Sequence, residues 1–395
     1  MTNYDFANRL AGISPSPTLQ MSRKAKEMAA HGMDVLDLSV GEPDFPTPEF
    51  ITTAAKSAID TGLTSFYTPT LGIFELRQTI AEQQQSENPL NFKNVAVAAG
   101  AKLILATIYQ ILISDKEKVA VAAPYWVSYS QQAKLVNGDF YAIYPQNSSF
   151  KLNTADLDQL DFVPKVLIIN NPTNPTGAVY SKSELIDIIE WCNLNGVFLI
   201  SDEIYSKLVY NETRFTSVLD LTNVKDSKII VVNGISKAYS MTGWRIGWAI
   251  ADEKIISKMG EVLDHFTSNP ATVSQYAALA ALNGDGISVE KMRQTFEKRL
   301  NFVKSSLQNI PELKLAVEPK GAFYCFIKVS PEFLKSKKLS STDELAMDLL
   351  EKKQVALAAG EGFGMPGYLR LSYAKDESIL QKAILRIKEY FEHGG

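Results

Sequence analysis

Between about residues 95 and 250, short apolar runs rich in β-branched residues alternate with stretches of helical period. The runs are "NVAVAAG", "KVAVAAP", "DFYAIYP", "KVLIINNP", "VFLISDE", "KIIVVNG" and "RIGWAIA". One intervening stretch, "SKSELIDIIEWCNLNG", opens with a capping box, Ser181 and Glu184, and closes at Asn195 and Gly196, which predicts a helix between them. Strands apolar on both faces, alternating with helices, predict a mostly parallel sheet covered on both sides: an α/β fold in three layers, α/β/α.

After about residue 285 the pattern changes. A long charged helix runs through "VEKMRQTFEKRLNFVKSSL", followed by "GAFYCFIKV", a helix over 342–353, "QVALAAG", "YLRLSYA" and a closing helix. This predicts a smaller α+β domain over 286–395 beside a large domain over 46–285. Residues 1–45, bordered and interrupted by Pro15, Pro17, Pro43, Pro46 and Pro48, read as too irregular for the main sheet and are expected to form an arm joining the small domain.

Composition narrows the function. With 395 residues, 46% apolar and 21% charged, the chain is long enough for two cores and ordinary for a globular protein. Forty basic residues against 44 acidic ones give a net charge of −4 without a basic block, so nucleic acid is not an expected partner. The start, "MTNYDFANRL", has no leader pattern, and no apolar run reaches the length of a membrane span, so a cytoplasmic location is expected. Cys192 and Cys325 are too few and too far apart for a disulfide framework, and His31, His265 and His393 share no ligand spacing; no metal site is expected.

In sheets of this kind ligands bind beyond the carboxyl ends of the strands. After "KVLIIN" comes Asn171-Pro172-Thr173-Asn174-Pro175-Thr176-Gly177, after "VFLIS" come Asp202 and Tyr205, after "KIIVVNGIS" comes Lys237, and after "NVAVAA" come Gly100, Ala101 and Lys102. Singly, each has an ordinary explanation as a cap, a turn former or a surface charge. Together they place a carboxylate, an amide, a phenol, an amine and a helix amino terminus at one edge. The amides at 100–102 can receive a phosphate, Arg245 after the Thr242-Gly243 turn can supply a fork to it, and Trp126 in "APYWVSY" offers a flat face.

A lysine buried in a run such as "NGISKAYSMTGWRIGW" is costly unless it is paired or covalently occupied, and a Schiff base with a carbonyl is one solution. An aspartate facing a pyridine nitrogen would strengthen the ring as an electron sink. These groups together describe a site for pyridoxal 5′-phosphate. The competing fingerprint "GFGMPG" at 362–367 has the glycine spacing of a dinucleotide loop, but Pro366 and "YLRLSYA" read as loop and strand where a helix should open.

The series "SVGEPDF", "SFYTPTLGIFELR", "APYWVSY", "NNPTNPTG", "SDEIY", "NGISKAYSMTGWRIGW", "GAFY" and "YLRLSYA" resembles the class I, fold-type I aminotransferases, specifically their bacterial aspartate aminotransferase branch. The resemblance implies that Lys237 forms the Schiff base and shuttles the proton, that Asp202 pairs with the pyridinium nitrogen, and that Tyr205 and Asn174 bond the cofactor's phenolic oxygen. It also implies stacking by Trp126 and a phosphate held by the backbone of Gly100, Ala101 and Lys102 with Ser236 and Arg245. Tyr67 would reach that phosphate from a second subunit, making the protein a homodimer with shared sites. Arg370 would bind the substrate α-carboxylate beside the Gly41 backbone.

One branch of the family reads the distal carboxylate with a partner arginine, but "HFTSNPATVSQ" here contains none. The similar branch uses Lys102 with Ser16 and Thr18, which favours aspartate, glutamate and their 2-oxo acids. Relatives that accept prephenate carry a lysine where this chain has Ser14, so prephenate activity is not expected. The expected reaction is ping-pong transfer from aspartate to 2-oxoglutarate. The alternatives are an aromatic or other amino-acid donor, a carbon–sulfur lyase on the same scaffold, and a non-enzymatic sensor; for the sensor, no basic winged-helix-like segment precedes residue 15.

Overall fold

In the computed structural model, which describes residues 6–10, 12–84 and 89–393, the strands are β1 (Leu36–Asp37), β2 (Val95–Ala98), β3 (Lys118–Ala122), β4 (Asp139–Ile143), β5 (Val166–Asn170), β6 (Phe198–Asp202), β7 (Ile229–Gly234), β8 (Gly247–Ile250), β9 (Leu313–Leu315), β10 (Tyr324–Val329), β11 (Val355–Ala356), β12 (Ala358–Ala359) and β13 (Tyr368–Ser372). Among the described residues, β2 to β8 form a seven-stranded sheet in the order β2-β8-β7-β6-β5-β3-β4. Its pairs are parallel from β4 through β3, β5 and β6 to β7, while β8 runs antiparallel to both β7 and β2. The fold is therefore α/β with a mostly parallel sheet, and the carboxyl ends of β2, β5, β6 and β7 lie at one edge.

Alternation along the strands makes the layers. Leu167, Ile169, Leu199, Ile229 and Val231 pack on one face with Leu185, Ile188 and Ile189 of the helix Lys182–Asn195 and with Ala277 and Ala278. Ile168, Ile200, Ile230, Val232 and Ala249 pack on the other with Ile104, Leu105 and Ile108 of the helix Ala101–Leu112 and with Met259 and Leu263. The helix Lys182–Asn195 begins at a reciprocal Ser181–Glu184 capping box and ends at Gly196, whose φ of 67° is left-handed. The local signals predicted both ends.

A second sheet, β12-β13-β10-β9, is antiparallel and packs with the helices Ile287–Leu307, Thr342–Lys353 and Glu377–His393. Within the expected arm, outside the large sheet, Pro17–Ala30 is a helix with proline in its first turn. Its Met21, Ala25 and Met28, spaced four and three apart, enter the core of this second sheet. Leu36 pairs in parallel with Val355. Residues 1–5 and 11 of the expected arm, residues 394–395, and the side chain of His393 lie outside the described residues. The 3-10 turn Gly360–Phe363 ends within "GFGMPG", and β13 follows at Tyr368, so the chain continues as a strand where a dinucleotide loop would start a helix. Among the described residues no helix is long and apolar enough to cross a membrane, and Cys192 and Cys325 are buried free thiols.

Candidate active site

The first turn of the helix after β2 is shaped by two glycines. Gly100, at φ +89°, is in a conformation that L side chains rarely adopt, and a Cβ there would stand 2.4 Å from Nη2 of Arg245. On β8, a Cβ at Gly247 would stand 2.2 Å from the amide nitrogen of Ala101. The bare backbone therefore lets the helix start, the neighbouring strand and the Arg245 guanidinium converge. No side chain caps this helix; Leu103 donates to the Gly100 carbonyl at 3.0 Å, while the amides of Ala101 and Lys102 come too early for an intrahelical partner and carry the positive end of the helix dipole. Arg245 is itself left-handed, with φ 55°, and is held by the carbonyl of Thr242, which accepts from Nη1 at 3.0 Å.

At the end of β6, Asp202 is 4% exposed. Tyr129 donates its phenolic proton to Asp202 Oδ2 at 2.6 Å, and the Ile204 amide donates to Oδ1 at 3.3 Å. Burial pushes this carboxyl up to about 6, against the pull of the Tyr129 bond. The Tyr129 ring meets Trp126 edge-on at 5.4 Å, and the amine of Lys102 lies 5.1 Å from the Trp126 ring centroid. Burial, with Arg245 nearby, lowers the Lys102 amine. At the end of β5, Asn170 Oδ1 accepts from the Asn174 amide at 2.7 Å, fixing the loop that carries the Asn174 side chain.

Lys237 follows β7. Its Nζ donates to the carbonyl of Gly41 at 2.7 Å, and burial pushes its amine down to about 8. Gly41 has no room for a side chain, because a Cβ would fall 1.9 Å from the hydroxyl of Tyr324. Tyr324, on β10, lies 2.8 Å hydroxyl to hydroxyl from Tyr205. Arg370, on β13, is 3% exposed; Nη1 donates to Asn174 Oδ1 at 3.0 Å and Nη2 to the Ser39 carbonyl at 2.5 Å. Its guanidinium lies 4.4 Å from the ring centroid of Tyr324 and 4.8 Å from that of Phe363. Among the described residues its Nε is buried without a hydrogen-bond partner.

One pocket is lined by Ser16, Thr18, Gly41, Ala101, Lys102, Trp126, Asn174, Asp202, Tyr205, Ser236, Lys237, Arg245 and Arg370, so the structure gathers nearly all of the residues singled out from the sequence. Gly100 adjoins it through Arg245. Tyr67 does not line it: that side chain is 91% exposed, next to Phe66 at 80%. The hydroxyls of Ser16 and Thr18 bond each other at 2.9 Å. The pocket also includes Asn170, Tyr129, Thr242 and Tyr324, to which sequence reasoning gave no role, although Tyr129 and Tyr324 sit inside the quoted runs "APYWVSY" and "GAFY".

With this geometry in view, comparison with known proteins gives one consistent answer. Residues 33–387 match the profile of the family "Aminotransferase class I and II". The chain is 42% identical over 389 residues to an aspartate aminotransferase of Bacillus sp. (strain YM-2), covering 98% of each sequence. It is 40% identical over 393 residues to an asparagine–oxo-acid transaminase of Streptococcus mutans, covering 98% of this chain and 99% of the relative. The crystal structure of an aspartate aminotransferase from Thermotoga maritima superposes with a TM-score of 0.89 at 37% identity, covering 98% of this chain and 99% of the other.

Proposed function

The chain belongs to the class I and II aminotransferases, and from that membership we propose that it transfers the amino group of aspartate to 2-oxoglutarate, by a ping-pong mechanism, using pyridoxal 5′-phosphate. The observation that carries this reading is the Lys237 amine standing in one pocket with Asp202, Arg245 and Arg370. The residues fit the cofactor: uncapped helix amides beside a guanidinium suit a phosphate, a buried carboxylate suits a ring nitrogen, and an amine lowered to about 8 is available as a nucleophile near neutral pH. When bound, pyridoxal 5′-phosphate supplies an aldehyde for amine exchange and a protonated ring that accepts the electrons left when the substrate Cα–H bond breaks.

Within this reading the amides of Ala101 and Lys102, the Gly100 backbone, Ser236 and Arg245 hold the phosphate. Asp202, supported by Tyr129, keeps the ring nitrogen protonated, Asn174 and Tyr205 hold the phenolic oxygen, and Trp126 covers the ring face. Arg370 holds the substrate α-carboxylate with the Gly41 backbone alongside, and Lys237 takes the Cα proton and returns it as general base and acid. Tyr67, projecting outward, serves the phosphate site of a second copy in a homodimer. Lys102, Ser16 and Thr18 receive the distal carboxylate. The arm 1–45, large domain 46–285 and small domain 286–395 are the units of this reading, with Arg370 brought to the pocket by the small one.

Aspartate as donor is supported by the names of several relatives; the Streptococcus mutans relative gives asparagine a specific claim as a second donor. A spectral half-reaction screen tests both. The protein loaded with pyridoxal 5′-phosphate is mixed with aspartate, asparagine, glutamate, phenylalanine or alanine, and loss of the visible band is timed. Aspartate is expected to be fastest, and Lys237→Ala is expected to lack the wild-type band. Release of pyruvate and ammonia from cystathionine, with no oxo acid added and no half-reaction with aspartate, would replace the transaminase reading by a lyase.

A further inference from the structure

Tyr324 touches both Tyr205 and Arg370. Its hydroxyl is 2.8 Å from that of Tyr205, while its ring lies 4.4 Å from the Arg370 guanidinium. It is 1% exposed, and its hydroxyl is pinned against the backbone at Gly41, where a Cβ would fall 1.9 Å away. Tyr324 rides on β10, whose register places Phe326 opposite Arg370 and Tyr324 opposite Ser372 on β13, so the tyrosine and the arginine are carried by adjacent strands of one sheet.

Two phenols have one proton each. If Tyr205 gives its proton to Tyr324, it has none left for the pocket; if Tyr324 gives, Tyr205 keeps its own. Burial raises both phenols, and the charge of Arg370 draws both down, but it is the Tyr324 ring that lies against the guanidinium, while Asp202 pushes Tyr205 further up; Tyr324 is therefore the better donor of the pair. We propose that Tyr324 is a positioning residue for Tyr205: its hydroxyl donates to Tyr205 and thereby commits the Tyr205 proton to the phenolic oxygen of bound pyridoxal phosphate. The inference rests on the function proposed above. It ties the substrate-carboxylate side of the site to the cofactor side through one hydroxyl.

The test uses the protein loaded with pyridoxal 5′-phosphate and reads the pH midpoint at which its visible band changes, in wild type, Tyr324→Phe, Tyr205→Phe and the double variant. Tyr324→Phe leaves the Tyr205 bond to the phenolic oxygen in place but removes the donor that polarises it, so the ionised oxygen is less stabilised and the midpoint should rise by about half a unit. The double variant should match Tyr205→Phe alone, because Tyr324 acts through Tyr205. KM for aspartate should stay within about twofold, since the ring beneath Arg370 is retained. An unchanged midpoint in Tyr324→Phe, a shift that adds in full to that of Tyr205→Phe, or a raised KM with no shift would each overturn the proposal while leaving the transaminase reading intact. A wild-type protein that shows no visible band would overturn both.

Discussion

Arg370 Nη1 donates to Asn174 Oδ1 at 3.0 Å, joining residues 196 positions apart and linking the last strand of the small sheet to the loop after β5. The fork is already aimed, so a carboxylate meets a fixed guanidinium and not a searching one. Arg370→Lys keeps the charge but loses the fork. The expected result is a 10- to 100-fold fall in kcat/KM for aspartate, with the visible band of the loaded protein retained. Steady-state kinetics with absorption spectra checks it; loss of the band as well would mean that Arg370 shapes the cofactor site itself.

Tyr129 shows its contribution in a pH profile. Its 2.6 Å bond opposes the upward push of burial on Asp202, so Tyr129→Phe raises that carboxyl further. A protonated Asp202 cannot hold a proton on a ring nitrogen, and the acidic limb of kcat against pH therefore moves to higher pH, by about one unit. A limb that stays in place would separate Tyr129 from the chemistry.

Glu203 stands beside Asp202 in sequence but turns away from the pocket. It is 2% exposed and accepts from Ser201 Oγ at 3.0 Å, Ser217 Oγ at 2.7 Å and the Val218 amide at 3.1 Å. Burial raises its carboxyl to about 7, with Asp220 adding to the push. A raised folded value stabilises the fold fully below the unfolded value, and that stability is lost as pH climbs through the folded one. The cofactor-free protein should therefore lose stability between about pH 4.5 and 7, and Glu203→Gln should remove part of that slope, worth up to about 3 kcal/mol. Urea midpoints across this range decide it.

Asp44 and Arg299 form a bidentate pair at 2.7 and 3.0 Å, tying the loop before the large sheet to the long helix Ile287–Leu307, with the guanidinium 5.1 and 5.7 Å from the rings of Phe45 and Phe296. Asp44→Asn leaves the buried cation with only the more distant charge of Asp376 and should cost about 3 kcal/mol, whereas Asp44→Leu combined with Arg299→Met should restore much of it. Thermal melts of both variants provide the comparison.

Local signals carried furthest where one element contains its own instructions. Ser181, Glu184 and Gly196 state both ends of a helix within sixteen residues, and the motif runs placed Asp202, Lys237 and Arg370 in one site. Pro17–Ala30 was hidden by flanking prolines, although Met21, Ala25 and Met28 already formed its apolar stripe. The reversed direction of β8 depends on which strands it meets, which no local run encodes. Tyr129 and Tyr324 were missed for a related reason: nothing near them says that their hydroxyls meet partners 73 and 119 residues away.

The oxygens that hold Arg370, the amide of Asn174 and the carbonyl of Ser39, carry no charge and take up no proton in the working range of pH. Asp37, whose charge also reaches Arg370, is engaged by Ser22 and by the amide and hydroxyl of Ser39. The guanidinium is thus held by neutral oxygens, with Asp37 acting on it only through space. Among the described residues no carboxylate hydrogen-bonds Arg370, so a substrate carboxylate displaces none of them, and inhibition at this subsite should come from other small anions in solution.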